Sequence, residues 1–237
     1  MTKWLKRTIP RIALIAVLLV VSLGVILPGA PSVYAAPANC YWVGGTGNWS
    51  DSTNHWAIIS GGAPGAANLP DATSNVFFDA ASFTAPGQIV TTDATANCLA
   101  MTWTGATNTP TFSIGARINF YGSLTFIAAM TVTTGNFLIF FGAGAKTITM
   151  AGHDFSGCYY CDLRDVTLLD AFSCGTSELA HAVGYLDTGG FTVTCGVFTE
   201  GSSIARTLTL GNSTVNCTFW SGGGSPFWHR AGAGADP

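Results

Sequence analysis

Chemistry-bearing side chains crowd into one stretch of this chain: His153, Asp154, Cys158, Cys161, Asp162, Arg164, Asp165, Asp170, Cys174, Glu178 and His181. Cys158, Cys161, Cys174 and His181 offer three thiolates and one imidazole, the donor set of a closed structural zinc site. The first pair has knuckle spacing, but Cys174 and His181 lie seven positions apart, a loose second pair. Unpaired thiols or a local Cys158 to Cys161 disulfide is the plainer expectation. A redox role is weaker, because no βαβ context surrounds Cys158-Tyr159-Tyr160-Cys161. Asp162, Asp165 and Asp170 could supply the paired carboxylates of glycoside cleavage. Three acids so close together are more often a solvated loop, and no Gly-x-Ser-x-Gly elbow is present. The expectation is therefore a protein that is not an enzyme and carries no cofactor, with these four zinc-type donors held as metal candidates.

A second set is aromatic. Tyr41, Trp42, Trp49 and Trp56 fall within 16 residues, beside Asn48 and Asp51. Aromatic rings with neighbouring amide and carboxylate groups can stack on sugars, so these four are the ligand-binding candidates. The same rings could instead cover an exposed end of a stacked fold, and that role carries more weight. Asp71, Asn75 and Asp79 recur at a spacing of four, but lack the order and the glycine of a calcium-binding EF-hand loop.

Whatever positions these groups must be built from short strands. Thr192-Val193-Thr194-Cys195 returns 22 residues later as Thr214-Val215-Asn216-Cys217, and related alternations appear at Thr147-Ile148-Thr149-Met150 and Thr207-Leu208-Thr209-Leu210. A period near 20 residues, with apolar side chains pointing one way and threonines the other, is what a coil of short strands requires, because each turn buries its apolar face only against its neighbours. The expected fold is all-β, a parallel β-solenoid; an antiparallel β-sandwich is the alternative, but it has no need of near-copies at a fixed offset. In the solenoid Val193 stacks on Val215 and Cys195 on Cys217, with the thiols reduced because parallel side chains suit a disulfide torsion poorly. Strands are expected at Ile89 to Thr92, Cys98 to Thr104, Ile118 to Ile127, Met130 to Thr133, Phe137 to Phe141, Thr147 to Met150, Val166 to Leu169, Phe191 to Phe198, Thr207 to Leu210 and Thr214 to Phe219. No stretch after residue 36 keeps a helical apolar spacing.

Residues 1–35 read as a signal peptide: Lys3, Lys6, Arg7 and Arg11 precede the uncharged run from Ile12 to Leu27, with cleavage expected after Ala35. The run has 16 residues, short of the ~20 that span a bilayer. Membrane attachment is thus expected only through this segment, if it stays uncleaved. Its removal leaves five Lys and Arg against 12 acidic residues, a net charge of −7. Scattered cations on an acidic chain exclude a phosphate-neutralising stripe, so no nucleic acid partner is expected. The expected organisation is an N-terminal aromatic cap module at 36–86, solenoid repeats at 87–220, and an irregular tail at 221–237 that reads as truncated. Without a cap of its own, the last turn would expose a strand edge.

The run Tyr41-Trp42-Val43-Gly44-Gly45-Thr46-Gly47-Asn48-Trp49-Ser50-Asp51, continuing through His55-Trp56 and Ser60-Gly61-Gly62-Ala63 to Val76-Phe77-Phe78-Asp79, resembles a module that opens many secreted bacterial and phage-associated repeat proteins. Tyr121-Gly122-Ser123-Leu124-Thr125-Phe126, Lys146-Thr147-Ile148-Thr149 and Arg206-Thr207-Leu208-Thr209-Leu210-Gly211 are similar to recurrent phrases of those proteins. The resemblance implies a β-solenoid and a role in extracellular display or adhesion; the chain departs from it between Cys158 and Tyr185 and after Phe219. The functional expectation is an exported structural or adhesive protein, secreted or at the cell surface, that binds polysaccharide or other surface components weakly and many times over. The alternative is a phage-tail-like or glycan-cleaving solenoid that uses the acidic segment 153–181.

Overall fold

A computed structural model describes residues 36, 38–142, 144–200, 204–222 and 228–231; of Gly222 and residues 228–231 only the backbone is described. The expected signal segment and most of the tail lie outside the described residues. The described chain is a parallel β-solenoid of about six turns. Each of the early turns lays one short strand on each of three faces. Ile89–Thr91, Ala96–Cys98 and Met101–Thr102 make one such turn, and Thr111–Ile114, Ile118–Phe120 and Leu124–Thr125 make the next. The faces are a ten-stranded, an eight-stranded and a four-stranded sheet among the described residues. Every pairing there is parallel except one, Tyr41 and Trp42 against Ala57 and Trp56, which excludes the antiparallel sandwich. Among the described residues no helix is long and apolar enough to cross a membrane.

The near-copies do stack. Val193 pairs with Val215 and Cys195 with Cys217 in an unbroken parallel register. The alternation at Thr147-Ile148-Thr149 does not join that column. Ile148 lies on the ten-stranded face between Leu124 and Leu168, whereas Val193 follows Phe172 on another face. Similar alternation marks every strand of such a coil, whichever face it serves, so offset alone cannot assign the face.

Turns of about 20 residues leave room only for tight corners, and several corners dictate their residue. The run Ile118 to Ile127, expected as one strand, is two strands broken at Gly122, where a Cβ would stand 2.7 Å from the Leu99 carbonyl oxygen. Strand Val193–Glu200 of the eight-stranded face pairs along its length with two strands of the preceding turn, first Phe172–Ser173 and then Glu178–Ala180; between them lies Gly196, where a Cβ would run into the Thr176 carbonyl.

The aromatic segment is less a separate module than the first, wider turn of the coil. Cys40 pairs with Val76 and Gly47 with Val90, so residues 39–48 supply the first parallel rungs of two faces. At the opposite end, Trp228–Ala231 of the tail expected to be irregular forms a strand against Arg206–Thr209. Strand Trp56–Ala57 then closes the ten-stranded face beyond residues 39–42 by the one antiparallel pairing. Antiparallel pairing reverses the chain and ends the stack there.

Candidate functional site

Strand alternation on the ten-stranded face turns Val76, Met101, Leu124 and Ile148 inward and leaves their neighbours outward. The outward neighbours form a column in register: Tyr41, Phe77, Thr102, Thr125 and Thr149, each half-buried. Beside it runs a second column of Thr147, Thr167, Asp187 and Thr209. Rungs of a β-stack repeat at ~4.8 Å, so the hydroxyls recur at that interval. Tyr41 and Phe77 stack with ring centroids 4.7 Å apart and planes 16° from parallel. Below Phe77 the column changes to threonine, and the loss of bulk leaves a shallow groove of about 120 Å³ lined by Asn75, Phe77, Ala100, Thr102, Ser123 and Thr125. The four-stranded face carries comparable columns, Thr91, Ser113 and Thr133 beside Thr111 and Thr131, the latter headed by the apolar Ile89.

Of the four aromatic candidates, only Tyr41 reaches a surface. Trp42 and Trp56 are fully buried and Trp49 nearly so. Their rings pack edge to face, Trp42 on Trp56 at 5.0 Å and Trp49 on Trp56 at 4.8 Å, and the His55 ring lies flat on Trp42 at 4.5 Å. Trp42 Nε1 donates to the Gly45 carbonyl and Trp56 Nε1 to the Trp49 carbonyl, each at 2.7 Å. Rings so buried present no open face on which a sugar could stack. The tryptophan platform is therefore corrected: the three indoles pack the core of the first turn, and the surface aromatic pair of that turn is Tyr41 with Phe77. Phe77 was readable only once the register was known, because its sequence neighbour Phe78 is the buried one and nothing local separates the two.

The zinc reading also fails on geometry. Cys158, Cys161 and Cys174 are buried inside the coil near Cys195, whereas His181 closes the corner between the eight-stranded and ten-stranded faces, with Nε2 3.3 Å from the Gly184 carbonyl oxygen. Among the described residues no group of three or more His, Cys, Asp and Glu side chains is placed to hold a metal ion. None of the seven cysteines is in a disulfide, and only Cys217 is not buried. Burial pushes the Cys161 thiol well above its ordinary value and that of Cys195 up to about 12, so these sulfurs stay protonated and unreactive.

The acids of segment 153–181 are built into corners. Asp170 accepts from Met150 N at 2.7 Å and Ala151 N at 2.6 Å, holding Ala151 in the left-handed region at φ 52°. Asp154 caps Ser156 N at 2.9 Å, and Asp165 accepts from Tyr185 N at 3.2 Å in the following turn. Asp162 is buried and pairs with Arg164 at 2.6 Å. Outside the segment, Asp71 receives the Thr73 amide and hydroxyl, each at 2.7 Å, and Asp79 receives Ala81 N at 2.9 Å, which are turn-forming roles.

Two more charges lie inside. Burial holds Lys146 below the usual lysine range, and its ammonium donates to the carbonyls of Gly142, Gly144 and Arg164 at 2.8, 3.0 and 3.1 Å. Arg206 is also buried, so the ten-stranded face shows neither of these cations outside. Comparison with known proteins finds no matching family model, no matching curated protein and no matching solved structure.

Proposed function

We propose that this chain is an exported structural or adhesive β-solenoid, working at or outside the cell surface and holding glycan or another repetitive surface weakly and multivalently. The observation that carries this reading is the pair of in-register threonine columns on the ten-stranded face. A single hydroxyl hydrogen bond contributes roughly 1 kcal/mol, so a lone threonine binds nothing; a column repeats the contact at a fixed interval along a rigid scaffold. The apolar run ahead of Ala35, the acidic balance of the remainder and the resemblance of the opening segment to secreted repeat proteins support the same reading.

The test is fractionation of cells expressing the full chain, followed by co-sedimentation of the recovered protein with insoluble cell-envelope polysaccharide and an assay for released reducing ends. The expected product begins at Ala36, is recovered outside the cytoplasm, sediments with the polysaccharide and releases no sugar. Recovery from the cytoplasm with Met1 to Ala35 intact, or failure to sediment, would overturn the proposal. Sugar release lost in Asp162→Ala or Asp165→Ala would replace it with the glycan-cleaving reading.

A further inference from the structure

Resting on the display reading, we infer that the groove beside Phe77 is a subsite for one ring of an uncharged polysaccharide, whose chain continues along the Thr102, Thr125 and Thr149 column. One face of Phe77 is occupied by Tyr41, at 4.7 Å and nearly parallel. The residue on its other side in the column is Thr102, and the ring borders the groove there. A pyranose is amphipathic in a matching way: its axial C–H groups make an apolar face, and its hydroxyls form a polar rim. Packed against Phe77, such a ring sets its rim toward the Thr125 hydroxyl, the Asn75 amide and the remaining acceptor lone pair of Thr102, whose hydroxyl donates to Thr104 Oγ1 at 2.9 Å. Beneath lie Val76 and Met101, both buried, so the floor is firm.

Charge selects among glycans. Lys146 and Arg206, the cations of the neighbouring strands, turn inward, and the second column contributes the carboxylate of Asp187. Among the described strand residues of this face an acidic polymer would meet no outward cation, and further along the second column it would meet the Asp187 carboxylate. A peptide strand is disfavoured for a different reason. Strand addition needs a free sheet edge, whereas the groove lies in the middle of the ten-stranded sheet, with its backbone already paired on both sides. The four-stranded face has hydroxyl columns without an aromatic wall beside them, which makes it an internal control.

Native gel electrophoresis through hydroxyethylcellulose, xylan, dextran or alginate tests the assignment. The full protein is expected to be retarded by at least one of the three neutral polymers and not by alginate. Phe77→Ala should weaken that retardation about tenfold, the size of one aromatic contact. Phe77→Trp should keep it, Thr125→Val should weaken it less, and Thr133→Val on the four-stranded face should leave it unchanged. Phe77→Leu, which keeps apolar bulk, guards against a misfolded alanine variant and should weaken retardation to a similar degree. Unchanged retardation of a folded Phe77→Leu protein would overturn the subsite while leaving glycan display intact. Retardation by alginate alone would overturn the uncharged class, and the absence of retardation by any polymer would overturn subsite and display together.

Discussion

The two ends of this coil fill the same interior with different chemistry. In the first turns Trp42, Trp56, Phe78, Phe83 and Trp103 occupy the core, with Phe78 stacked on Trp103 at 3.8 Å. Toward the last turns the core holds Cys161, Cys174, Cys195, His181, Glu200 and Arg206. One row shows the change. Phe120 stacks on Phe140 at 4.7 Å, and the same inward position then becomes Leu163, His181 and Glu200 in successive turns. A solenoid tolerates this because each turn touches only its neighbours, so stability is set turn by turn rather than by one shared core. The apolar end should hold the fold and the polar end should yield first.

Truncating the centre of the apolar end gives the largest effect. Trp56 is fully buried, contacts Trp42, Trp49 and Phe78, and its strand makes the antiparallel pairing that closes the stack. Trp56→Ala is expected to cost about 3–5 kcal/mol in denaturant unfolding. Ile59→Ala, at an exposed position of the same segment, should cost less than about 0.5 kcal/mol. Equal costs would mean that the tryptophan cluster is not what holds this end.

Acid should attack the opposite end. Burial lowers the His181 imidazole to about 4, with Arg206 acting in the same direction and Asp162, Asp165 and the Gly184 carbonyl opposing. The folded protein therefore keeps His181 neutral while the unfolded chain protonates it near its ordinary 6.5, so the unfolded state binds more protons between these values. Stability should fall as pH drops from about 6.5 to 4, by about 3 kcal/mol at most. Glu200, raised mainly by burial, acts with the opposite sign: the penalty on its charged form is relieved on acidification and offsets part of the loss. Chemical denaturation at a series of pH values should show the slope in the wild type and a shallower one in His181→Leu. An identical slope in both would place the acid sensitivity elsewhere.

How much of this was legible beforehand depends on what each level of structure is made from. The stacking of Val193 on Val215 was readable because two copies differ by a fixed offset, and an offset is a property of sequence. The strands at Tyr160–Asp162, Glu178–Ala180 and Gly184–Asp187 were not expected. They carry Asp, Glu, Cys and Gly where their neighbours carry Thr and Val, so the alternation that marks a strand is masked by residues chosen for corners and interior. The same masking made Cys158, Cys161, Cys174 and His181 look like one donor set. Sequence separation measures distance along the coil, whereas a metal needs convergence across its section, and His181 closes a different corner from the three clustered cysteines. Phe77 was hidden in the opposite way, since Phe77 and Phe78 differ only in which side of the strand they occupy.

A glycine at a polar-end corner tests whether local geometry or interior chemistry limits that end. Gly184 lies at φ 78°, and a Cβ there would collide with the Asp165 carboxylate, which accepts from Tyr185 N in the same corner. Gly184→Ala combines left-handed strain with that collision and is expected to cost about 1–3 kcal/mol. Gly87→Ala has a similar φ of 72° with open space around its Cβ, so it isolates the strain and should cost about 1 kcal/mol. The difference between the two, read from urea midpoints, measures the collision alone. If the two cost the same, the Asp165 corner is loose enough to give way.

The finest probe leaves stability untouched and reads local opening. In native conditions a small thiol reagent should modify one cysteine per chain, Cys217, because the other six are buried. Cys217→Ser should abolish that reaction. Below the unfolding midpoint the next sulfur to react should be Cys195, which pairs with Cys217 in the adjacent rung, while Cys98 in the first turns should react only with global unfolding. The order follows from the geometry of a stack: a turn is released when its outer neighbour has left, so protection should rise from residue 217 toward residue 98. Simultaneous labelling of Cys195 and Cys98 would show that the coil unfolds as one cooperative unit, and the contrast between its ends would then be chemical without being mechanical.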